Sequence, residues 1–449
     1  MTARDHPGAV DPYASKHGSA SIAVEHYDLD LTYRVRTNRL AGTATLRLLT
    51  REAVEEVSLD LVGLSVEKVA LVGARLARFT HRGGRLVLRL AERVPARTAL
   101  TVVVSYGGTP TPTPSPWGPV GWEELTDGVV VASQPTGAPT WFPCNDRPSD
   151  KATYRTSLTV DNPYRVLAHG VLVSRKGRAS TTTWVYEERH PTSTYLASVQ
   201  IGRYEEHVLA EDPVPQLLLV PGELRAPARE HLDQHGDLMS LFTTCFGPYP
   251  FETYTLVVTG DDLEIPLEAQ GLSIFGANHL SSATGEERLV AHELAHQWFG
   301  NSVSVASWQH IWLSEGFACY AEWVWSEASG GASAEAMARL WHERLSTLPQ
   351  DLVLSDPGYP NIFDDRVYKR GALTVHALRG ALGDEVFFGL VRAWTARHAD
   401  TSVTTEDFRA HAREHAADAG GAVLERSVEK LLDAWLVDVR LPRLSAVPA

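Results

Sequence analysis

The apolar positions change their period about halfway along the chain. From residue 26 to about 205 they alternate. Tyr27, Leu29, Leu31, Tyr33 and Val35 are separated by polar residues, which is the two-residue repeat of a strand with one buried face. The stretches 44–48, 57–61 and 86–90 repeat the pattern, and Gly83-Gly84 suits a tight hairpin turn before the last of them. The run from Leu100 to Tyr106 is more continuously apolar and predicts a strand buried on both faces. Further strands are predicted near 129–133, 153–160, 183–187 and 194–201, with no long helix between them. Thr109-Pro110-Thr111-Pro112-Thr113-Pro114-Ser115-Pro116 reads as a stiff surface loop in polyproline II conformation.

Beyond about residue 205 the period lengthens. After a strand at 217–220, helices are predicted near 229–245, 367–382, 385–397 and 431–439, and a strand at 254–258. Thr404-Thr405-Glu406-Asp407-Phe408 has the makings of a helix start. The expected class is α+β and multidomain. Residues 1–25 form a flexible leader, 26–205 a β-rich domain and 206–449 a mainly helical domain.

Composition narrows the class. The 449 residues are 44% hydrophobic and 21% charged, as in ordinary globular proteins, and the net charge is −14. An acidic surface of this size argues against nucleic acid and anionic membrane as partners. The polar N-terminus has no apolar core of signal-peptide length, and no run is long enough to span a bilayer. Cys144, Cys245 and Cys319 are odd in number and far apart, so they read as core residues rather than a disulfide framework. A cytoplasmic location is expected.

The chemistry concentrates in His292-Glu293-Leu294-Ala295-His296. Two histidines at i and i+4 project from one helical face and can grip one metal ion. An accidental match is expected in roughly one chain in twenty of this composition, so the context decides. Leu289, Val290, Leu294, Trp298 and Phe299 make the helix apolar around much of its circumference. Buried imidazoles and a buried carboxylate need partners, because unpaired buried polar groups cost several kcal/mol. Glu315, nineteen residues after His296, is well spaced to be a third ligand, on a second helix marked by Phe317, Tyr320, Ala321 and Val324. Two imidazoles, one carboxylate and an open fourth position describe a catalytic zinc site; a structural one would be closed by four ligands. Glu293 is then free to act as a base. Glu322, seven residues after Glu315, lies on the same face and could support a ligand.

These residues, with Trp312-Leu313-Ser314-Glu315-Gly316, Phe142-Pro143-Cys144-Asn145-Asp146, Gly247-Pro248-Tyr249-Pro250 and Tyr368-Lys369-Arg370-Gly371-Ala372, resemble the aminopeptidase N family of zinc metallopeptidases, the gluzincins. The resemblance spans nearly the whole chain. It implies an N-terminal β-saddle domain followed by a thermolysin-like catalytic domain. It implies one zinc ion per chain, bound by His292, His296 and Glu315. Glu293 would be the general base toward metal-activated water, and Tyr368 would stabilise the oxyanion. Glu268 would bind the free α-amino group of a peptide, Gln134 would line that end of the cleft, and Leu267 would floor the first side-chain pocket.

The chain also departs from the family pattern. Ile265-Pro266-Leu267-Glu268-Ala269 stands where the family reads Gly-Ala-Met-Glu-Asn, and Pro266 has no N–H to offer a substrate. His310 stands where an acidic residue is usual, and the large C-terminal helical domain of longer members is not in this sequence. The main expectation is an aminopeptidase acting on peptides with a free N-terminus. The alternative is a zinc hydrolase acting on an N-blocked or non-peptide amide.

Overall fold

The computed structural model of the chain describes residues 11–280 and 287–444. Within them the chain divides into two compact units, 11–228 with 251–280, and 229–250 with 287–444.

The first unit is built on strands. Its largest sheet has seven, in the order Val171–Gly177, Thr181–Thr192, Ala152–Asp161, Ile22–Arg34, Arg39–Thr50, Ala99–Gly108, Ser65–Val72. Ile22–Arg34 and Ala152–Asp161 run parallel, and their register sets Tyr27 opposite Tyr154. These two rings stack at 4.9 Å, with Phe142 edge-on to Tyr27 at 5.3 Å. Tyr27, Leu29, Leu31 and Tyr33 are all buried, as the alternation requires. Each large apolar side chain removed from water this way contributes roughly 1.5–3 kcal/mol. A five-stranded sheet follows, in the order Glu205–Ala210, Gln216–Val220, Tyr254–Val258, Leu272–Phe275, Leu267–Ala269. It belongs to the first unit, although most of it lies beyond residue 205.

Several local expectations are corrected. The first ten residues of the expected leader lie outside the described residues, but its remainder is held in place. Gly18 N donates to Asp60 Oδ2 and Ser19 N to Asn145 Oδ1, each at 2.6 Å, and the first strand already starts at Ile22. Bonds to partners 42 and 126 residues away leave no local pattern. Thr113–Ser115, expected within a polyproline loop, pairs antiparallel with Gly118–Leu125 at a sheet edge, where a proline's missing N–H costs no ladder bond. The predicted strand at 194–201 begins with a short 3-10 turn, and pairing starts only at Val199.

The second unit is helical. The helix predicted at 229–245 is two, α1 (Arg225–His231, which starts in the first unit) and α2 (His235–Phe246). Then come α3 (Glu287–Ala295), α4 (Trp312–Ala328), α5 (Ala334–Ser346), α6 (Asp365–Leu382), α7 (Asp384–His398) and α8 (Thr405–Leu436). Thr404 caps α8 reciprocally with Asp407. The predicted last helix is the end of α8, which kinks at Gly420-Gly421. Trp298, Trp308, Trp312, Trp323 and Trp394 are buried in this unit. The three cysteines are free and buried. Among the described residues, no helix is long and apolar enough to cross a membrane.

Candidate metal centre

Helix α3 is buried because Val290, Ala291, Leu294 and Ala295 are apolar, and this carries His292 and Glu293 inside with them. His296 falls one residue beyond α3, but its amide still bonds to the His292 carbonyl at 3.2 Å, so the i, i+4 relation holds. The chain then widens. The amides of Asn301, Ser302 and Val303 reach carbonyls five residues back, at 3.0, 3.1 and 3.1 Å. Within this wide turn the Phe299 carbonyl faces His296 Nδ1 at 3.0 Å. Gly300 has φ +116°, and a Cβ there would lie 3.2 Å from His296 Nδ1, so the turn calls for glycine.

Helix α4 brings the carboxylate. Glu315 Oε2 lies 3.4 Å from Nε2 of His292 and 3.4 Å from Nε2 of His296. The ligand atoms of the three residues all lie within 4.8 Å of one another, and all three residues are buried. Two atoms bound to one zinc at about 2.0–2.1 Å in tetrahedral geometry stand about 3.4 Å apart. The donor set and its spacing therefore fit a zinc ion.

The outer ring nitrogens fix how the imidazoles face. His292 Nδ1 donates to Glu322 Oε1 at 2.8 Å, while His296 Nδ1 donates to the Phe299 carbonyl. Both Nε2 atoms are thus left to point inward as ligands. Burial opposes charge on His292, yet the carboxylates of Glu315 and Glu322 outweigh it and raise the imidazole above its ordinary range. Burial likewise opposes ionisation of Glu315 and Glu322. The two histidines hold Glu315 well below the usual carboxylate range, and Lys369 and His292 do the same for Glu322. Two ionised carboxylates around two imidazoles are an electrostatic setting for a cation.

Glu293 is buried, with a carboxylate oxygen within 4.8 Å of a His296 ring nitrogen. Tyr368, half-buried on α6, lies parallel to the His292 ring, 6.1 Å between centroids at 14°. The second unit therefore brings together His292, Glu293, His296, Glu315 and Tyr368. Glu268, Leu267 and Gln134 belong to the first unit. Glu268 and Leu267 lie on the short strand Leu267–Ala269, with Glu268 opposite Ser273. Gln134 follows the strand Gly128–Ala132. Ile265 is 62% exposed and Pro266 is buried. His310 Nδ1 meets the Thr405 hydroxyl at 3.0 Å, near the start of α8.

Two partners escape a reading of the sequence. Lys369 reaches Glu322 and Cys319, and the Phe299 carbonyl reaches His296. The first could have been found only from the packing of α4 on α6. The second is a main-chain group, which residue type does not reveal.

The family models match both parts of the chain, the peptidase M1 N-terminal domain over residues 23–196 and the peptidase family M1 domain over residues 231–435. The M1 zinc metallopeptidase from Deinococcus radiodurans is 30% identical and superposes with a TM-score of 0.85, covering 97% of this chain and 99% of that one. The chain belongs to peptidase family M1. It has the family's β-rich N-terminal part followed by a helical part. A mutant of the D. radiodurans M1 enzyme bound to a Tyr-Ser-Ala substrate superposes at 0.83, with 30% identity and 95% and 97% of the two chains covered. Aminopeptidase M1 of Arabidopsis thaliana is 29% identical in an alignment of 350 residues that covers 72% of this M1 chain and 38% of the plant protein. The chain thus spans well under half the length of that curated relative, but nearly all of the bacterial one.

Proposed function

We propose that this chain is a zinc-dependent aminopeptidase that hydrolyses the N-terminal residue from peptides. The observation that carries the reading is the buried triad. Two Nε2 atoms lie 3.4 Å from one carboxylate oxygen, with Glu293 and Tyr368 beside them. In this reading His292, His296 and Glu315 hold one zinc ion per chain. When bound, the ion would supply Lewis acidity toward a water molecule and the scissile carbonyl. Glu293 takes a proton from the attacking water at its carboxylate and passes it to the departing amine. Tyr368 donates its hydroxyl proton in a hydrogen bond to the developing oxyanion. Glu268 pairs with the substrate's ammonium group, Gln134 lines the same end, and Leu267 floors the first side-chain pocket.

The domain roles follow. The catalytic groups lie within the 206–449 stretch and in the second unit, while Glu268, also within that stretch, and Gln134, within 26–205, are both supplied by the first unit. The D. radiodurans relative crystallised with Tyr-Ser-Ala supports a peptide as the substrate class. The net charge of −14 favours a cationic ligand over nucleic acid or anionic membrane. A cytoplasmic location belongs to the same proposal. Ile265-Pro266 motivates a second reading, hydrolysis of an N-blocked or non-peptide amide.

Zinc-loaded protein is offered aminoacyl-amide reporters with free and with acetylated α-amino groups. Turnover confined to the free-amine set is expected, and Glu293→Ala is expected to abolish it while zinc stays bound. Equal turnover of the acetylated set would support the second reading. An active Glu293→Ala would overturn the mechanism.

A further inference from the structure

Lys369 is a cation in a place where burial is costly. It is 7% exposed, and it directly follows Tyr368 on α6. Its ammonium lies 2.9 Å from Cys319 Sγ, 3.8 Å from Glu322 Oε2 and 4.7 Å above the Trp341 ring. Of these partners only Glu322 is ionised, and its other oxygen accepts the Nδ1 proton of His292 at 2.8 Å. Glu322 has a second cation in Arg288, 3.4 Å away, but that side chain is 52% exposed, so solvent and salt screen it. On the Oε2 side of Glu322, away from His292, the buried cation is therefore Lys369.

We propose that Lys369 is a positioning residue of the metal centre, acting through Glu322 to hold His292 with its Nε2 turned toward Glu315. The inference rests on reading the triad as a zinc site. A desolvated carboxylate stays inside only while a partner balances its charge. With Lys369 in place, Glu322 is held between the ammonium and His292. With Lys369 neutralised, Glu322 Oε2 keeps only the solvent-screened Arg288, already 3.4 Å away, and the desolvated carboxylate loosens its hold on Nδ1. His292 then loses the bond that fixes its ring, and zinc binding weakens. Cys319 Sγ and the Trp341 face hold the ammonium without competing for it as anions. One turn of α6 thus delivers both the Tyr368 phenol and the charge that steadies the neighbouring ligand.

A double-mutant cycle read by zinc affinity tests this. Dissociation constants for zinc are measured by chelator competition on wild type, Lys369→Met, Glu322→Gln and the double variant. Absorption spectra of the cobalt-loaded proteins report ligand geometry. Lys369→Met is expected to weaken zinc about tenfold in the wild-type background and to shift the cobalt bands. In the Glu322→Gln background the same change is expected to cost less than about twofold, because the group it acts through is gone. Equal losses in both backgrounds, or no loss in either, would overturn the proposal. If Lys369→Met does not fold, Lys369→Gln, which can donate to the same partners without a charge, is read in the same way. A wild-type protein that binds no zinc would instead overturn the reading of the triad itself.

Discussion

Gly316 and Gly371 meet backbone to backbone where α4 crosses α6. A Cβ on Gly316 would lie 2.8 Å from Gly371 Cα, and one on Gly371 would lie 2.7 Å from Gly316 Cα. Glu315 directly precedes the first glycine, and Tyr368, Lys369 and Arg370 precede the second. The crossing therefore sets how far the ligand carboxylate stands from the phenol. Gly316→Ala gains about 1 kcal/mol of helix propensity but drives a Cβ into main-chain atoms of a packed core, which costs about 2–3 kcal/mol, the upper part of the overpacking range. A net loss of about 1–2 kcal/mol is expected in urea unfolding, with weaker zinc binding. A variant as stable as wild type would mean that the helices can part freely and that the crossing does not hold the site.

Tyr368→Phe separates the phenol's chemistry from its packing. The ring lies parallel to His292 and is half-buried, so a phenylalanine keeps the stacking and removes only the hydroxyl. Under the proposed mechanism, kcat is expected to fall about a hundredfold to a thousandfold, as when one oxyanion donor is lost. Zinc content and KM stay close to wild type. Retained kcat would show that the hydroxyl does not reach the oxyanion.

The legible parts of this chain were those whose cause is local. Alternation at Tyr27–Tyr33 fixes which faces are buried whatever the strand pairs with, and His292 and His296 share a face through helix geometry alone. The assignment of the sheet at 205–275 to the first unit was not legible, because strands declare their faces but not their neighbours. Helix α5, capped by Ser333, carries little apolar periodicity, because only Ala334, Ala338 and Leu345 are buried along it. The role of Lys369 was hidden for a different reason. Its partners Cys319 and Glu322 lie on another helix, and the crossing that brings them close depends on two glycines with no chemistry of their own.

His169 gives the first unit an acid-sensitive element. Its ring is buried edge-on to Tyr154 at 4.7 Å, and Nδ1 accepts from Ser198 N at 3.2 Å. Burial pushes its imidazole down to about 4. In the unfolded chain the same group titrates near 6.5. Between those values the unfolded state binds the extra proton, so stability rises with pH through the window and is lost as pH falls from about 6.5 toward 4. The full effect is about 3 kcal/mol. His169→Asn keeps an acceptor near the Nδ1 position and removes the titration. Urea midpoints of the two proteins are expected to converge as pH drops from 7 to 4.5. Parallel pH profiles would show that His169 is not the acid-sensitive group.

Arg370 closes the second unit's C-terminal end by gathering carbonyls rather than carboxylates. It is 4% exposed, and its guanidinium donates to Leu352 O at 3.1 Å, Trp435 O at 2.9 Å and Val439 O at 3.0 Å, and also to Asp438 O. Burial pushes its pKa down to about 10, so it remains charged at neutral pH. The fan of five N–H donors on a planar group suits several acceptors at once, and neither Lys nor Met can replace it. Arg370→Met strips the donor from the buried Trp435 and Leu352 carbonyls, each costing about 1–3 kcal/mol when left unsatisfied, and from the partly exposed Val439 and Asp438 carbonyls, which water can reach. A loss of about 3 kcal/mol or more is expected, with faster amide hydrogen exchange concentrated at the end of α8 and in residues 437–441. Arg370→Lys should recover only part of it, since one ammonium cannot reach the same set. Uniform exchange across the unit in the Met variant would mean that Arg370 supports the fold generally and does not clamp this terminus.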